Sequence, residues 1–290
     1  MEDTLRQWTS CGYQFNTSTE RFGELRSSND ILKDGQALSE RMKDDGYLFL
    51  RGVLDNDLVL EARHELLLKM AVNNQIDDDY LINEGIDPSL KTEVDQTSYR
   101  EGRAVRQLAH QGEMTEFYET FFGKQVQAFD FIWVRIVGVG VSTGCHYDWV
   151  YMGRGSKSLH TSWTPLGDVS KVEGALAILH GSHKFSGLIS TYGSIDVDDE
   201  RTNQKYGGWY TQNPVEVQEK FGGRWLTTDF EMGDLVVFSM HTMHCSLDNN
   251  SPNNRIRLSL DTRYQPAGDE TDERWVGESP MAHGAEAKRG

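Results

Sequence analysis

The chain has 290 residues, 37% hydrophobic and 10% aromatic, enough apolar material to bury a core and too much for an intrinsically disordered chain. With 45 acidic against 29 basic residues the net charge is −16, which repels nucleic-acid phosphates and anionic membranes and argues against both as partners. No apolar run approaches the roughly 18 residues that span a bilayer. The N-terminus lacks a basic-then-apolar secretion signal, and the three cysteines, Cys11, Cys145 and Cys245, have no metal-type spacing. A soluble cytoplasmic protein is expected.

Residues 1–28 are polar and mixed, as expected of an arm lying over the body. Over 34–45, Leu38 and Met42 sit four apart and Gly46 follows, which predicts a short helix. Residues 47–50 (Tyr-Leu-Phe-Leu) read as a strand. Asp55 or Asp57 then caps a second helix to Met70, with Leu58, Ala62 and Leu66 on one face. Residues 73–103 lack periodicity and read as a long loop whose Asp77–Asp79 run is a solvated face. A helix over 104–122, stopped by Gly123, closes this part.

Beyond Lys124 short apolar or alternating runs recur at 128–137, 158–166, 175–179, 235–238 and 256–264, separated by Gly, Asp, Asn or Ser clusters. That rhythm predicts a sandwich or closed barrel and not alternating βαβ units. An insertion over 186–228 is rich in Gly, Tyr and Trp, and a polar tail occupies 265–290. The expected architecture is a single domain, mainly β with α. A helical layer (1–124) packs on a jelly-roll core (125–264).

The strongest local signal is Thr143-Gly-Cys-His146-Tyr-Asp148. On a strand, residues i and i+2 share a face, so an imidazole and a carboxylate project together. These are two ligands of a facial triad that leaves adjacent metal positions open. The third must come from elsewhere in the sheet. Two of the nine histidines, His241 and His244, follow the strand Gly233-Asp-Leu-Val-Val-Phe238, and pattern alone does not choose between them. A diacid co-substrate would also want a bidentate guanidinium, which Arg255 or Arg257 can supply.

These pieces resemble the phytanoyl-CoA dioxygenase family of Fe(II)/2-oxoglutarate oxygenases. The likeness runs through Gly46-Tyr-Leu-Phe-Leu-Arg-Gly52, the His146-x-Asp148 segment, Trp163-Thr-Pro-Leu-Gly-Asp168, Gly181-Ser-His-Lys184, Gly233–Phe238 and His244-Cys-Ser246 with Asn249 and Arg255. The resemblance implies a double-stranded β-helix of the cupin type. It implies iron ligands His146, Asp148 and His244, and 2-oxoglutarate held by Arg255 with Ser246 and Trp163, Arg257 being the reserve. It further implies O2 as co-reactant, a small-molecule substrate, and release of succinate and CO2. Asp148 stands where related halogenases carry a small residue, so hydroxylation or a similar oxidation is expected.

Other conspicuous residues have plainer readings. His183 is expected to pack structurally in a turn. Cys145 and Cys245 alternate away from the adjacent ligands and read as small buried hydrophobes. Arg135 and Arg154 are either substrate contacts or salt-bridge partners. Among Trp149, Tyr151, Trp209, Tyr210 and Trp225, those in the insertion are the better candidates for a substrate pocket, because loops around a rigid barrel carry specificity.

Overall fold

The computed structural model describes residues 7–87, 97–202 and 206–284. The middle of the expected 73–103 loop, residues 88–96, lies outside them. Helix α1 (Gly35–Asp45) starts where the Asp34 carboxylate accepts from Ala37 N and stops at Gly46 in the left-handed region. Helix α2 (Asn56–Val72) is capped by Asp55 in the same way. The single helix expected over 104–122 is two, α3 (Arg103–His110) and α4 (Glu113–Phe122). They part at Gly112, whose φ of 57° no right-handed helix can continue. Glu65 of α2 caps α3 from outside, accepting from Arg103 N and Ala104 N.

The strands are β1 (Thr9–Ser10), β2 (Tyr13–Gln14), β3 (Phe22–Glu24), β4 (Tyr47–Leu50), β5 (Val126–Ala128), β6 (Trp133–Val137), β7 (His160–Pro165), β8 (Leu176–His180), β9 (Arg224–Thr227), β10 (Leu235–Ser239), β11 (His244–Ser246) and β12 (Arg257–Pro266). Apart from the small β1–β2 pair, they form two facing sheets. The larger runs β4-β10-β7-β12-β5, with β6 also paired to β12, and the smaller runs β11-β8-β9-β3. This is the expected jelly-roll, with three adjustments. The run 128–137 is two strands, the N-terminal arm contributes β3, and the end of the insertion is β9, on which β3 pairs in parallel. The rest of the insertion carries helices α6 (Ser186–Ile189) and α7 (Pro214–Phe221), while α5 (Trp149–Met152) lies just after Asp148.

Period-2 alternation places the layers. On β4 and β10, Leu48, Leu50, Leu235 and Val237 pack under the four helices, whereas Tyr47, Phe49, Val236 and Phe238 fill the space between the sheets. Strand β12 alternates differently. Leu258, Leu260 and Tyr264 face the helices. The opposite row, Arg257, Ser259, Asp261, Arg263 and Gln265, is polar and each member is buried. This row faces the centre of the sandwich and supplies charge to it. Among the described residues no helix is long and apolar enough to cross a membrane.

The tail is not a loose extension. Buried Arg274 donates to Asp198 (2.6 Å) in the insertion, to Asp272 (2.6 Å) and to the carbonyl of Tyr151 (2.8 Å) in α5. Trp275, fully buried, stacks on Trp133 of β6 at 5.6 Å between centroids. Arg274→Met removes the cation shared by two buried carboxylates, each no more than 5% exposed. The expected loss in urea unfolding is about 3–5 kcal/mol, with faster proteolysis after Pro266. A loss under 1 kcal/mol would show that the tail is held by something else.

Candidate metal centre and its cavity

His146 and His244 come from opposite segments that exchange two backbone hydrogen bonds, His146 N to His244 O (3.1 Å) and His244 N to His146 O (3.2 Å). This pairing sets the two imidazoles side by side at the mouth of the sandwich, with centroids 4.1 Å apart. Strand alternation does not by itself bring in Asp148, because the chain turns helical there (φ −66°, ψ −26°) at the start of α5. Even so, one carboxylate oxygen of Asp148 lies 3.6 Å from His146 Nε2 and 3.7 Å from His244 Nε2. The three donor atoms all fall within 4.8 Å of one another.

The surroundings prepare each donor. The Nδ1 atoms of His146 and His244 lie 2.8 and 3.0 Å from the carbonyls of Gly144 and Thr242. A carbonyl only accepts, so Nδ1 carries the proton and the Nε2 lone pair is free for a metal. Burial, reinforced by the neighbouring His244, pushes the His146 pKa down to about 3, and burial also lowers that of His244. Both are neutral at pH 7. Burial opposes ionisation of Asp148, but Arg263, the two histidines and Thr161 outweigh it and hold its pKa well below the usual carboxylate range. Its second oxygen accepts from Thr161 Oγ1 (2.6 Å) and Arg263 Nη2 (2.9 Å), which leaves the first facing the histidines. Two neutral nitrogens and one carboxylate on one side of a metal fit Fe(II) with open positions.

His241 takes no part. Its ring stacks on Trp149 at 4.8 Å and its Nε2 sits 3.2 Å from the Gly193 carbonyl. His183 packs under Gly46, with Nε2 on the carbonyl of Lys43. Cys145 and Cys245 are buried and free.

A narrow recess runs inward from the histidines, lined by Trp163, Ser246, Arg257, Arg135, Phe238 and Asp261. Trp163 and Ser246 meet in it beside Arg257, while Arg255 is not part of its lining. Arg255 lies before β12 begins. A bridge to Ile86 holds its backbone, Glu173 pairs with its guanidinium at 3.2 Å, and its side chain is 35% exposed. Arg257, first residue of β12, points inward, stacks at 5.9 Å from the Trp163 ring and is 4% exposed. Its Nε is buried without a partner, as a guanidinium prepared for an anion would be.

Outward lies a cavity of about 490 Å3, within the size range of small-molecule sites. Trp133, Arg135, Tyr151, Trp209 and His283 line it together with the His146–Asp148 face. Of the insertion aromatics, Trp209 reaches the cavity, while Tyr210 and Trp225 pack in the core around β8 and β9. The His283 ring lies over Trp133 and Tyr151 at 5.8 and 5.2 Å, so the tail closes one wall. Nothing in a polar C-terminus signals that role. Thr161, Arg263 and Asp261 were also missed, although the Arg-Leu-Ser-Leu-Asp-Thr-Arg-Tyr-Gln alternation of β12 announces a charged inward face.

The phytanoyl-CoA dioxygenase family profile matches residues 42–257, well over half of the chain. The chain belongs to the phytanoyl-CoA dioxygenase family. One similar protein is the 1-deoxypentalenic acid 11-beta-hydroxylase of Streptomyces exfoliatus, 26% identical over 259 residues, covering 86% of this chain and 87% of that protein. The fold is also that of the epimerase SnoN of nogalamycin biosynthesis, solved with Fe3+ and alpha ketoglutarate (TM-score 0.58, 21% identity, 87% and 94% coverage). It is shared with iron-bound EctD from S. alaskensis (TM-score 0.58, 14% identity, 95% and 92% coverage).

Two outcomes check the site. His244→Ala lowers Mn(II) or Fe(II) affinity at least a hundredfold by anaerobic calorimetry, while His241→Ala leaves it within twofold; the reverse order would move the third ligand to His241. The apo-protein loses stability as pH falls below the ordinary histidine value of about 6.5, because the unfolded chain then binds protons that folded His146 refuses until about pH 3. At pH 5 His146 alone accounts for roughly 2 kcal/mol, read as a lower urea midpoint than at pH 7.

Proposed function

We propose that this Fe(II)- and 2-oxoglutarate-dependent oxygenase holds iron with His146, Asp148 and His244 and anchors the far carboxylate of 2-oxoglutarate with Arg257. The reading rests on one observation, a three-donor metal cluster lying between a 490 Å3 cavity and a recess that ends on a buried, under-bonded guanidinium. Bound together, iron and 2-oxoglutarate supply the oxidation: O2 is consumed, 2-oxoglutarate gives succinate and CO2, and a small organic substrate is oxidised, hydroxylation being the simplest outcome.

The chain's own residues carry the rest. Arg263 and Thr161 keep Asp148 ionised and fixed in orientation, and the backbone carbonyls of Gly144 and Thr242 fix both imidazole tautomers. Ser246 and Trp163 flank the co-substrate beside Arg257, whose planar fork suits a carboxylate. The recess has about 20 Å3 of free space, so the Arg257 side chain must shift as the diacid enters and pairs with it. Trp133, Tyr151, Trp209 and His283 line the outer cavity and face the substrate. A reducing, cytoplasmic setting agrees with three unpaired cysteines.

Anaerobic addition of 2-oxoglutarate to the Fe(II) protein should raise a weak visible charge-transfer band. Arg257→Gln is expected to raise the 2-oxoglutarate Kd at least tenfold, and Arg255→Gln to change it less than twofold. A band unaffected by Arg257→Gln would return the anchor to Arg255. Iron binding without any band would leave a metal enzyme that does not use 2-oxoglutarate.

A further inference from the structure

Among the described residues, the outer cavity offers one guanidinium whose outer donors are free, that of Arg135. Around the metal and its recess stand the guanidiniums of Arg135, Arg257 and Arg263 and the carboxylates of Asp148 and Asp261. Arg257 faces the co-substrate and Arg263 faces Asp148. The third guanidinium, Arg135 on β6, pairs with Asp261 through Nε and lines both recess and cavity.

Its geometry is that of a fixed receptor. Asp261 accepts from Nε at 2.8 Å and the guanidinium lies 4.7 Å over the Trp133 ring, which locks its plane. Neither terminal nitrogen has a hydrogen-bond partner among the described residues, and the side chain keeps 21% exposure, so its outer edge is open. That edge can take both oxygens of one carboxylate. The carboxylates on the cavity wall are engaged elsewhere. Asp148 belongs to the metal cluster, and Asp198 is occupied by Arg274 (2.6 Å) and Gly284 N (2.9 Å). The other walls, Trp133, Tyr151, Val197 and Trp209, are aromatic or apolar.

We propose that the substrate is an organic acid with a largely apolar body, and that Arg135 is the residue that selects it by binding its carboxylate end-on. The aromatic walls take the body, and the metal-facing side of the cavity receives a C–H bond set at a fixed distance from the acid group. The inference rests on the oxygenase reading above for the substrate's role, but not for its binding.

The test titrates three probes of one shape, 1-adamantanecarboxylic acid, 1-adamantanemethanol and 1-adamantanemethylamine, into the anaerobic Fe(II) protein with and without 2-oxoglutarate. Quenching of tryptophan fluorescence reports binding, since Trp133 and Trp209 line the cavity. The acid should bind at least tenfold more tightly than the alcohol, and the amine most weakly. Arg135→Gln should bring acid and alcohol within twofold while the 2-oxoglutarate Kd changes by less than tenfold. Arg135→Lys should restore part of the preference. Absence of acid preference in the wild-type protein, including no binding of any probe, overturns the proposal whether or not the variants fold. So does a preference that survives Arg135→Gln, or a tenfold loss of 2-oxoglutarate affinity in that variant, which would assign Arg135 to the co-substrate. Acid preference without any 2-oxoglutarate chelate would instead contradict the oxygenase reading and leave the acid site standing.

Discussion

The site depends on keeping one carboxylate ionised where water cannot reach it. Asp148 is 2% exposed, and an unpaired charge at such depth would cost several kcal/mol or be neutralised by a proton. Arg263 and Thr161 prevent this by binding its far oxygen, and the near oxygen is left for a metal. Because Arg263 is itself 1% exposed, it is held only if the sheet around it is rigid. Strand β12 provides that rigidity, pairing with β7, β6 and β5 while its outward Leu258, Leu260 and Tyr264 are clamped by the helical layer. The helices therefore act on the metal centre through the strand between them.

Under the proposed assignments the same strand serves three tasks. Along its inner row, Arg257 looks into the recess, Asp261 steadies Arg135 at the cavity, and Arg263 supports the metal carboxylate. Successive inward positions lie about 6–7 Å apart along a strand, enough to separate co-substrate, substrate and metal functions without crowding. The insertion and tail then complete the cavity, tied to each other by Arg274.

Much of this was legible in the sequence, for identifiable reasons. Caps at Asp34 and Asp55 and stops at Gly46 and Gly123 are local signals, and the helices begin and end where they say. The break at Gly112 was missed because a lone glycine is tolerated within many helical patterns. Strands β3 and β9 were missed because each is short and pairs only with a distant partner. At the site, His146 and Asp148 were visible as a pair. The choice of His244 over His241 came from resemblance, and geometry agrees with it, since only His244 faces Asp148. The arginine was the harder choice. Arg255 and Arg257 share a strand parity, and only the Glu173 partner and the start of β12 two residues later separate them. His283 had no signal, because a tail's fold-back is fixed by contacts with Trp133 and Tyr151 far away in sequence.

The most direct measurement is a crystal structure of the protein grown anaerobically with Fe(II) and 2-oxoglutarate, with anomalous scattering locating the metal. Iron is expected on His146 Nε2, His244 Nε2 and one Asp148 oxygen, with the far carboxylate of 2-oxoglutarate on Arg257 beside Ser246 and Trp163, and Arg255 still paired with Glu173. Iron bound elsewhere, or a co-substrate carboxylate resting on Arg255, would contradict this assignment.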